Sequence, residues 1–415
     1  MKVNKLEKFN IKKIDGGICA PVGFLAAGIY CGLRKNKEKK DLALIYSETV
    51  CNAAALYTSN KVKADPIYVT MDHIKDGNAK AVIVNSGNAN ACAPKGKENA
   101  IRMAESAAKA LGIEKKDVIV ASTGVIGVPL DIEVIESNIP MLSNILSRKG
   151  SSDAAEAIMT TDTYKKETAV SFELHGKEVK IGGISKGSGM IHPNMGTTLS
   201  FITSDVNIDG AILDKIWRYC VDRTFNRISI DGDTSTNDMA CIMVNGLANN
   251  PMISDESDEG YEVFLAALMK VCTHLARELA RDGEGSTRLI SCTVYNASDE
   301  DKAGIIAKSV ISSSLTKAAL HGGDANWGRI LCSAGYSGVD FDYRKVDIAF
   351  RSAKGEIMVC KNGRGLLFDE NQASLILSTE ETCVLINLKE GNESATAWGC
   401  DLTCEYVNIN GSYRS

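Results

Sequence analysis

Between residues 81 and 120 the chain changes its hydrophobic period twice, and this limits the architectures open to it. Ala81-Val82-Ile83-Val84 is an apolar run too short for a helix, and it breaks into Asn85-Ser86-Gly87-Asn88-Ala89-Asn90, a cluster of turn formers. Glu98 to Leu111 then carries Ile101, Ala104, Ala108 and Leu111 on one helical face, with Gly112 placed to cap the end. Val118-Ile119-Val120 follows as a second strand, ending at Ser122-Thr123-Gly124. Leu42 to Tyr46 reads as a buried strand. Tyr261 to Arg281 reads as a helix with Leu268, Cys272, Leu275 and Leu279 on one stripe, stopped at Asp282-Gly283. Beyond it, Ile290, Cys292 and Val294 alternate with Ser291, Thr293 and Tyr295 as a half-buried strand. Strands interleaved with helices require α/β layers.

The chain has 415 residues, which at about 150 per domain suggests two or three lobes or one large α/β unit. Neither a repeat nor an obvious linker occurs, and the loop-like stretch Gly182 to Thr198 is the best candidate for an internal boundary. Lys plus Arg is 47 against 52 Asp plus Glu, so binding nucleic acid by bulk charge is disfavoured. No uninterrupted apolar run reaches membrane-spanning length. Basic residues precede the apolar stretch Ile18 to Ile29, but Pro21, Gly23 and Gly28 interrupt it, so it reads as a strand and turn rather than an export signal.

Thirteen cysteines, an odd number without C-x-x-C spacing, read as reduced thiols of a cytoplasmic protein. With five histidines and no H-E-x-x-H, no metal site is expected. Three short patterns carry little weight. Gly183-Ile184-Ser185-Lys186-Gly187 fits G-x-S-x-G but leads into no helix, and Ser314-Leu315-Thr316-Lys317 lacks the companion motifs of S-x-x-K enzymes. Asp231 to Asp238 lacks the Gly and Glu of a calcium loop and reads as a polar turn between strands. Phosphate-binding glycine loops are absent, so no nucleotide cofactor is expected.

A fourth stretch differs. Lys186-Gly187-Ser188-Gly189-Met190-Ile191-His192-Pro193-Asn194-Met195-Gly196-Thr197 is a glycine-rich loop that reaches a threonine just before the strand-like Leu199, Phe201 and Ile202. A hydroxyl following a small residue is what self-cleavage needs, because Gly196 lets the backbone bend without a Cβ clash. Cleavage would free the α-amine of Thr197, which titrates near about 7.7–8.0 and serves as a base beside its own hydroxyl. On pattern alone, an ordinary threonine entering a strand remains the commoner explanation.

The segment resembles the cleavage motif of the ornithine acetyltransferases, the bifunctional glutamate N-acetyltransferases of arginine biosynthesis. Further stretches resemble that family in order. They are Ala20-Pro21 to Gly28, Val84 to Ala91, Ser122 to Gly127, Ala157 to Thr163, Asp231 to Asp238, Arg281 to Gly285, Asn326 to Ile330 and Val407 to Asn410. The resemblance implies a layered α/β sandwich of the N-terminal-nucleophile-like type, self-cleaved into an α-chain, residues 1–196, and a β-chain, residues 197–415, interlocked in one unit. It implies Thr197 as nucleophile, released by cleavage after Gly196, and Thr123 with Gly124 as oxyanion hole. Thr163, Lys186, Thr197, Glu284, Asn410 and Ser415 match its substrate-binding positions, with Thr161 the alternative register for Thr163. Lys186 suits a carboxylate and Glu284 an ammonium group.

The implied partners are N-acetylornithine and glutamate, with no nucleic acid or membrane, and the assembly a heterotetramer of two α and two β chains. No cofactor is implied, and whether acetyl-CoA also serves as co-substrate stays open. Three residues depart from the family pattern: Gly196 replaces Ala, His192 stands where Ala is frequent, and Thr198 replaces Met. Two other readings compete: an N-terminal-nucleophile amidase or aminopeptidase with water as acceptor, and an uncleaved, non-catalytic binding relative.

Overall fold

The computed structural model describes residues 9–192 and 198–412. Two sheets organise the described chain. The first contains β1 (Lys12–Ile14), β2 (Phe24–Ile29), β3 (Leu42–Tyr57), β4 (Asn78–Asn88), β5 (Val118–Val125), β6 (Lys166–Leu174), β7 (Lys177–Lys186) and β8 (Leu199–Ser204). After β9 (Ile228–Ser229), which joins the second sheet, β10 (Met239–Val244) completes the first. The order is β1-β6-β7-β8-β10-β3-β4-β5, with β2 paired to β3. The second sheet adds β11 (Leu289–Ala297), β12 (Asp347–Ser352), β13 (Gly355–Lys361), β14 (Arg364–Gly365), β15 (Glu381–Asn387) and β16 (Glu393–Cys400), ordered β14-β13-β12-β15-β11-β16-β9. Helices pack on both sheets, so the layered α/β class expected from the alternating periods is the one observed.

The longest helix, Glu259–Arg281, ties the sheets together. Asp258 caps its start by accepting the Gly260 N–H, and Asp282 is its C-terminal cap residue. It packs on β6 and β7 of the first sheet and on β11 and β16 of the second. Its stripe, Leu268, Cys272, Leu275 and Leu279, is fully buried, as its period requires. The Gly96–Leu111 helix lies within two residues of its expected span, and Gly112 caps it at φ +66°. Its buried stripe is rotated from the expected one, onto Ala100, Met103, Ala104 and Ala107. Ile101 and Leu111 are only half-buried at its edge, because β4, β5 and the Ile132–Asn144 helix fit against the alanine-rich face.

Two expectations need correction. Gly182 to Thr198 is not a boundary between domains. Its first five residues are β7, which pairs antiparallel with β8 from Ile181↔Ser204 to Lys186↔Leu199, so the chain leaves and re-enters one sheet. Nor does the strand after the first βα unit stop at Ser122-Thr123-Gly124, since β5 runs through them to Val125, held parallel to β4. Among the described residues no helix is long and apolar enough to cross a membrane.

Leu275 is fully buried, and its Cδ1 lies close enough to Gly183 to obstruct a Cβ there. Leu275→Ala is expected to cost about 2–5 kcal/mol, read as a lower denaturant midpoint with an unchanged slope.

Candidate active site

A cleft of about 250 Å³ opens where β5 and β7 end, lined by Thr123, Gly124, Thr161, Lys186, Glu284 and Asn410 among others. These residues come from separate stretches of the chain, and each is held by a local device. β4 and β5 run parallel with Gly87 opposite Gly124, and the register shifts at Asn88, a bulge that splays the strand ends. Gly124 sits at φ +131°, and a Cβ there would meet the Gly87 carbonyl carbon at 2.3 Å, so only glycine fits. Asn237 donates through Nδ2 to the carbonyls of Ala89 (2.6 Å) and Ser122 (2.8 Å) and pins the strand ends from outside the sheet.

Lys186 is buried at the end of β7, and its Nζ reaches Thr123 Oγ1 at 3.4 Å. Burial lowers its affinity for a proton, and neighbouring Asp162 opposes that shift. Ser188 Oγ donates to the Asp282 carbonyl (2.6 Å), and the Glu284 N–H donates to the Ser188 carbonyl (2.9 Å). These bonds lay Glu284 against Gly189, where a Cβ would sit 2.3 Å from the Glu284 carboxylate, so a side chain there would displace that carboxylate. Asn410, on the Cys404–Gly411 helix, donates through Nδ2 to Glu284 Oε2 at 2.8 Å.

Beneath the cleft lies a buried ionic network. Lys166 Nζ is 2.7 Å from Asp162 Oδ1 and 2.5 Å from Asp282 Oδ2, with all three side chains almost fully buried. Asp162 also accepts the backbone N–H groups of Gly187 (2.7 Å) and Thr160 (2.9 Å). Burial alone would raise its carboxyl, but Lys166, then Lys186, with these hydrogen bonds, hold it well below the usual carboxylate range.

The structure therefore brings Thr123, Gly124, Lys186, Glu284 and Asn410 together, and separates Thr163 from them. Thr163 donates through both N and Oγ1 to the Asp282 carboxylate and does not line the cleft, whereas Thr161, the alternative register, does. Asp162 turns into the ionic network, which leaves its two neighbours facing different ways. Gly196, Thr197 and Ser415 lie outside the described residues. His192 points its Nδ1 at Ser229 Oγ (3.0 Å), and burial, then Lys308, push its pKa down to about 4, so it is neutral in the physiological range.

Sequence reading passed over Ser235, Asn237 and Asp238. The stretch Asp231 to Asp238 is a polar connection between β9 and β10, as expected, but its last residues also form one wall of the cleft. Asp238 Oδ1 accepts the Thr198 N–H at 2.7 Å. The signals in the sequence were a cluster of Asn and Asp more polar than a turn requires and the resemblance of Asp231 to Asp238 to a family stretch.

Residues 25–415 match the model of the ArgJ family. An arginine biosynthesis bifunctional protein ArgJ from Caldanaerobacter subterraneus is 50% identical over 97% of this chain and 99% of its own length. ArgJ 1 of Clostridium acetobutylicum is 49% identical over 94% and 96%. Among solved structures, the arginine biosynthesis bifunctional protein ArgJ of Bacillus halodurans is 42% identical, covering 51% of this chain and 98% of its own, at a TM-score of 0.49. The ornithine acetyltransferase of Mycobacterium tuberculosis, complexed with ornithine, is 35% identical, covering 45% and 100%, at a TM-score of 0.42. With a family match over nearly the whole chain and relatives this similar from end to end, the chain belongs to the ArgJ family.

Proposed function

We propose that this protein is a glutamate N-acetyltransferase of arginine biosynthesis. It moves the acetyl group of N2-acetyl-L-ornithine to L-glutamate through an acetyl ester on Thr197. The observation that carries this reading is the cleft itself. An oxyanion-type pair, Thr123 and Gly124, shares about 250 Å³ with the buried Lys186 and the carboxylate of Glu284. That is the charge complement of an amino acid: Lys186 suits its carboxylate and Glu284 an ammonium group. The relatives named above are bifunctional proteins of arginine biosynthesis, and the solved ornithine acetyltransferase holds ornithine, which agrees with such a substrate.

The mechanism follows from these groups. The Thr197 hydroxyl attacks the acetyl carbonyl of N-acetylornithine while the Thr197 α-amine takes its proton. Thr123 and the Gly124 N–H stabilise the oxyanion. The proton passes to the leaving nitrogen and ornithine departs, leaving acetyl-Thr197. The amine of glutamate attacks that ester, N-acetylglutamate leaves, and the hydroxyl regains its proton. Donor and acceptor use one covalent intermediate, which gives ping-pong kinetics. The chain's own residues supply every group in this cycle, with acetyl-CoA left as a further donor for the same ester.

The reading includes self-cleavage between Gly196 and Thr197, and the topology is compatible with it. β8 and β10, from residues beyond 197, lie between β7 and β3, from residues before it. Lining residues also come from both segments, such as Lys186 and Glu284. After a cut the two pieces would share one sheet and one cleft. An assembly of two α and two β chains belongs to this reading as well.

Intact-mass spectrometry of the denatured protein is expected to give two fragments, the second beginning at Thr197, and Thr197→Ala one uncut, inactive chain. A single uncut mass from an active wild-type protein would sink the N-terminal nucleophile. Release of acetate from N-acetylornithine at an equal rate without glutamate would favour the amidase reading.

Two substitutions separate chemistry from binding. Thr123→Ala is expected to lower kcat by roughly a hundredfold or more, with the cleaved fragments still formed and folded. Glu284→Gln keeps the size and the Asn410 contact but removes the charge, and is expected to raise the KM for N-acetylornithine about tenfold or more. An unchanged KM would remove Glu284 from substrate binding.

A further inference from the structure

Asp238 is 3% exposed and stands immediately before β10. Its Oδ1 accepts the Thr198 N–H at 2.7 Å. Among the described residues its buried Oδ2 has no hydrogen bond of normal geometry, although the Ser235 side chain and amide lie near enough to favour its charge. The small recess holding it is also lined by Thr123 and Lys186. A buried carboxylate oxygen left open in a substrate cleft is costly unless it has a use.

The charged groups around it come from several elements. Lys186 on β7 lines the same recess and favours the ionised form of Asp238. Behind Lys186 stand Asp162, Lys166 and Arg34, which act on the Lys186 charge in opposite senses. Asp162 is committed to Lys166 and to the Gly187 N–H, and Asp282 to Lys166 and Thr163. Glu284, across the cleft, is held by Asn410. The charge of Asp238 is thus set chiefly by its burial, then by the Thr198 N–H, with Lys186 the charged side chain that favours its ionised form. Burial pushes its pKa up to about 7, with the Thr198 N–H and Lys186 only partly opposing it.

We propose that Asp238 is the proton partner of Lys186: when the carboxylate of an amino-acid substrate pairs with Lys186, Asp238 Oδ2 takes up a proton from solvent. The inference rests on the reading of Lys186 as the carboxylate holder. The balance is simple. One negative charge enters with the substrate, one proton enters from the buffer, and the charge of the buried site is unchanged. The sign follows from electrostatics, since a second anion beside Lys186 raises the proton affinity of Asp238. At neutral pH a group poised near its midpoint answers such a shift with a measurable fraction of a proton. His192 is neutral throughout. The Thr197 α-amine freed by cleavage is the other group that changes charge near neutral pH, so the assignment to Asp238 is read from the difference between wild type and Asp238→Asn. Asp238 acts through Lys186 and the Thr198 amide, so it is a positioning residue.

The test is calorimetry. L-Ornithine is titrated into the purified, mature enzyme near neutral pH, in buffers of different ionisation enthalpy. The observed heat should depend on the buffer with the sign of proton uptake. Asp238→Asn keeps an oxygen for the Thr198 N–H but does not titrate, and it should reduce that dependence at least twofold while ornithine still binds. An unchanged dependence in the variant, or wild-type binding with no proton uptake, would overturn the proposal and leave the acetyltransferase reading standing. Failure of ornithine to bind at all would overturn both. If Asp238→Asn does not fold, difference infrared spectroscopy of the wild-type protein decides. A protonated-carboxyl band gained on adding ornithine supports the proposal, and its absence overturns it.

Discussion

The site depends on one buried lysine shared between two carboxylates. Lys166 reaches Asp162 and Asp282, which lie 120 residues apart in sequence, and so staples the loop before β6 to the end of the Glu259–Arg281 helix. Removing an ion from water costs several kcal/mol, so this triad is worth having only if every partner is satisfied. Here it is. Asp162 adds two backbone donors and Asp282 adds Thr163. With Gly187 and the Ser188–Asp282–Glu284 bonds tied to this staple, the glycine-rich loop leaving β7 is fixed at its root. Lys186 and Glu284 are delivered to one cleft as a consequence.

Charge counting shows why the same staple tunes the cleft. Asp162 and Asp282 offset Lys166 and Lys186, two against two. Asp238 therefore shares Lys186 with Asp162, and burial, only partly opposed by the Thr198 N–H and Lys186, pushes its carboxyl up to about 7. In a low-dielectric site a single charge placed beside Lys186 is felt strongly by its neighbours. Asp238 and Lys186 therefore both sit nearer neutrality than they would in water, and a substrate carboxylate shifts the balance between them. Arrangements of this kind, titratable groups moved from their usual range by burial and by one another, mark functional sites more often than structural ones.

Much of this was legible in the sequence, and the misses have physical causes. Helices with a clean period were readable to within two residues, because one apolar stripe both forms the helix and buries it. The face of the Gly96–Leu111 helix was misplaced because alanine is apolar but small, and its burial depends on what packs against it. Thr163 and Thr161 are two residues apart around one turn, and no property of a threonine says which side chain faces a cleft. That was decided by Asp162, whose need for Lys166 turns the segment. Asp238 was passed over because a polar cluster between strands is an adequate turn, and its second use depends on β10 lying beside β8, a long-range pairing that no local pattern encodes. At Lys186, Glu284 and Asn410, which line one cleft, motif resemblance gave a signal where local pattern gave none.

The geometry around Gly124 shows what the fold contributes beyond gathering side chains. A parallel pair normally continues its even ladder until both strands end. Here the ladder slips at Asn88, and Gly124 approaches the Gly87 carbonyl too closely for any Cβ. The slip is stabilised from outside by Asn237 on the Ser122 and Ala89 carbonyls, and within the strand pair by Ser122 Oγ donating to Asn85 Oδ1 at 2.5 Å. An oxyanion site must be rigid before the charge develops, because donors that reorganise during the reaction lose most of their advantage. A bulge locked by buried amide side chains meets that requirement with backbone alone. Asn237 also neighbours Asp238, so one short connection between β9 and β10 holds the proposed oxyanion segment and the carboxylate proposed to titrate at once. Movement of that connection would disturb stabilisation of the oxyanion and proton balance together, which ties the two sides of the cleft to a single rigid element.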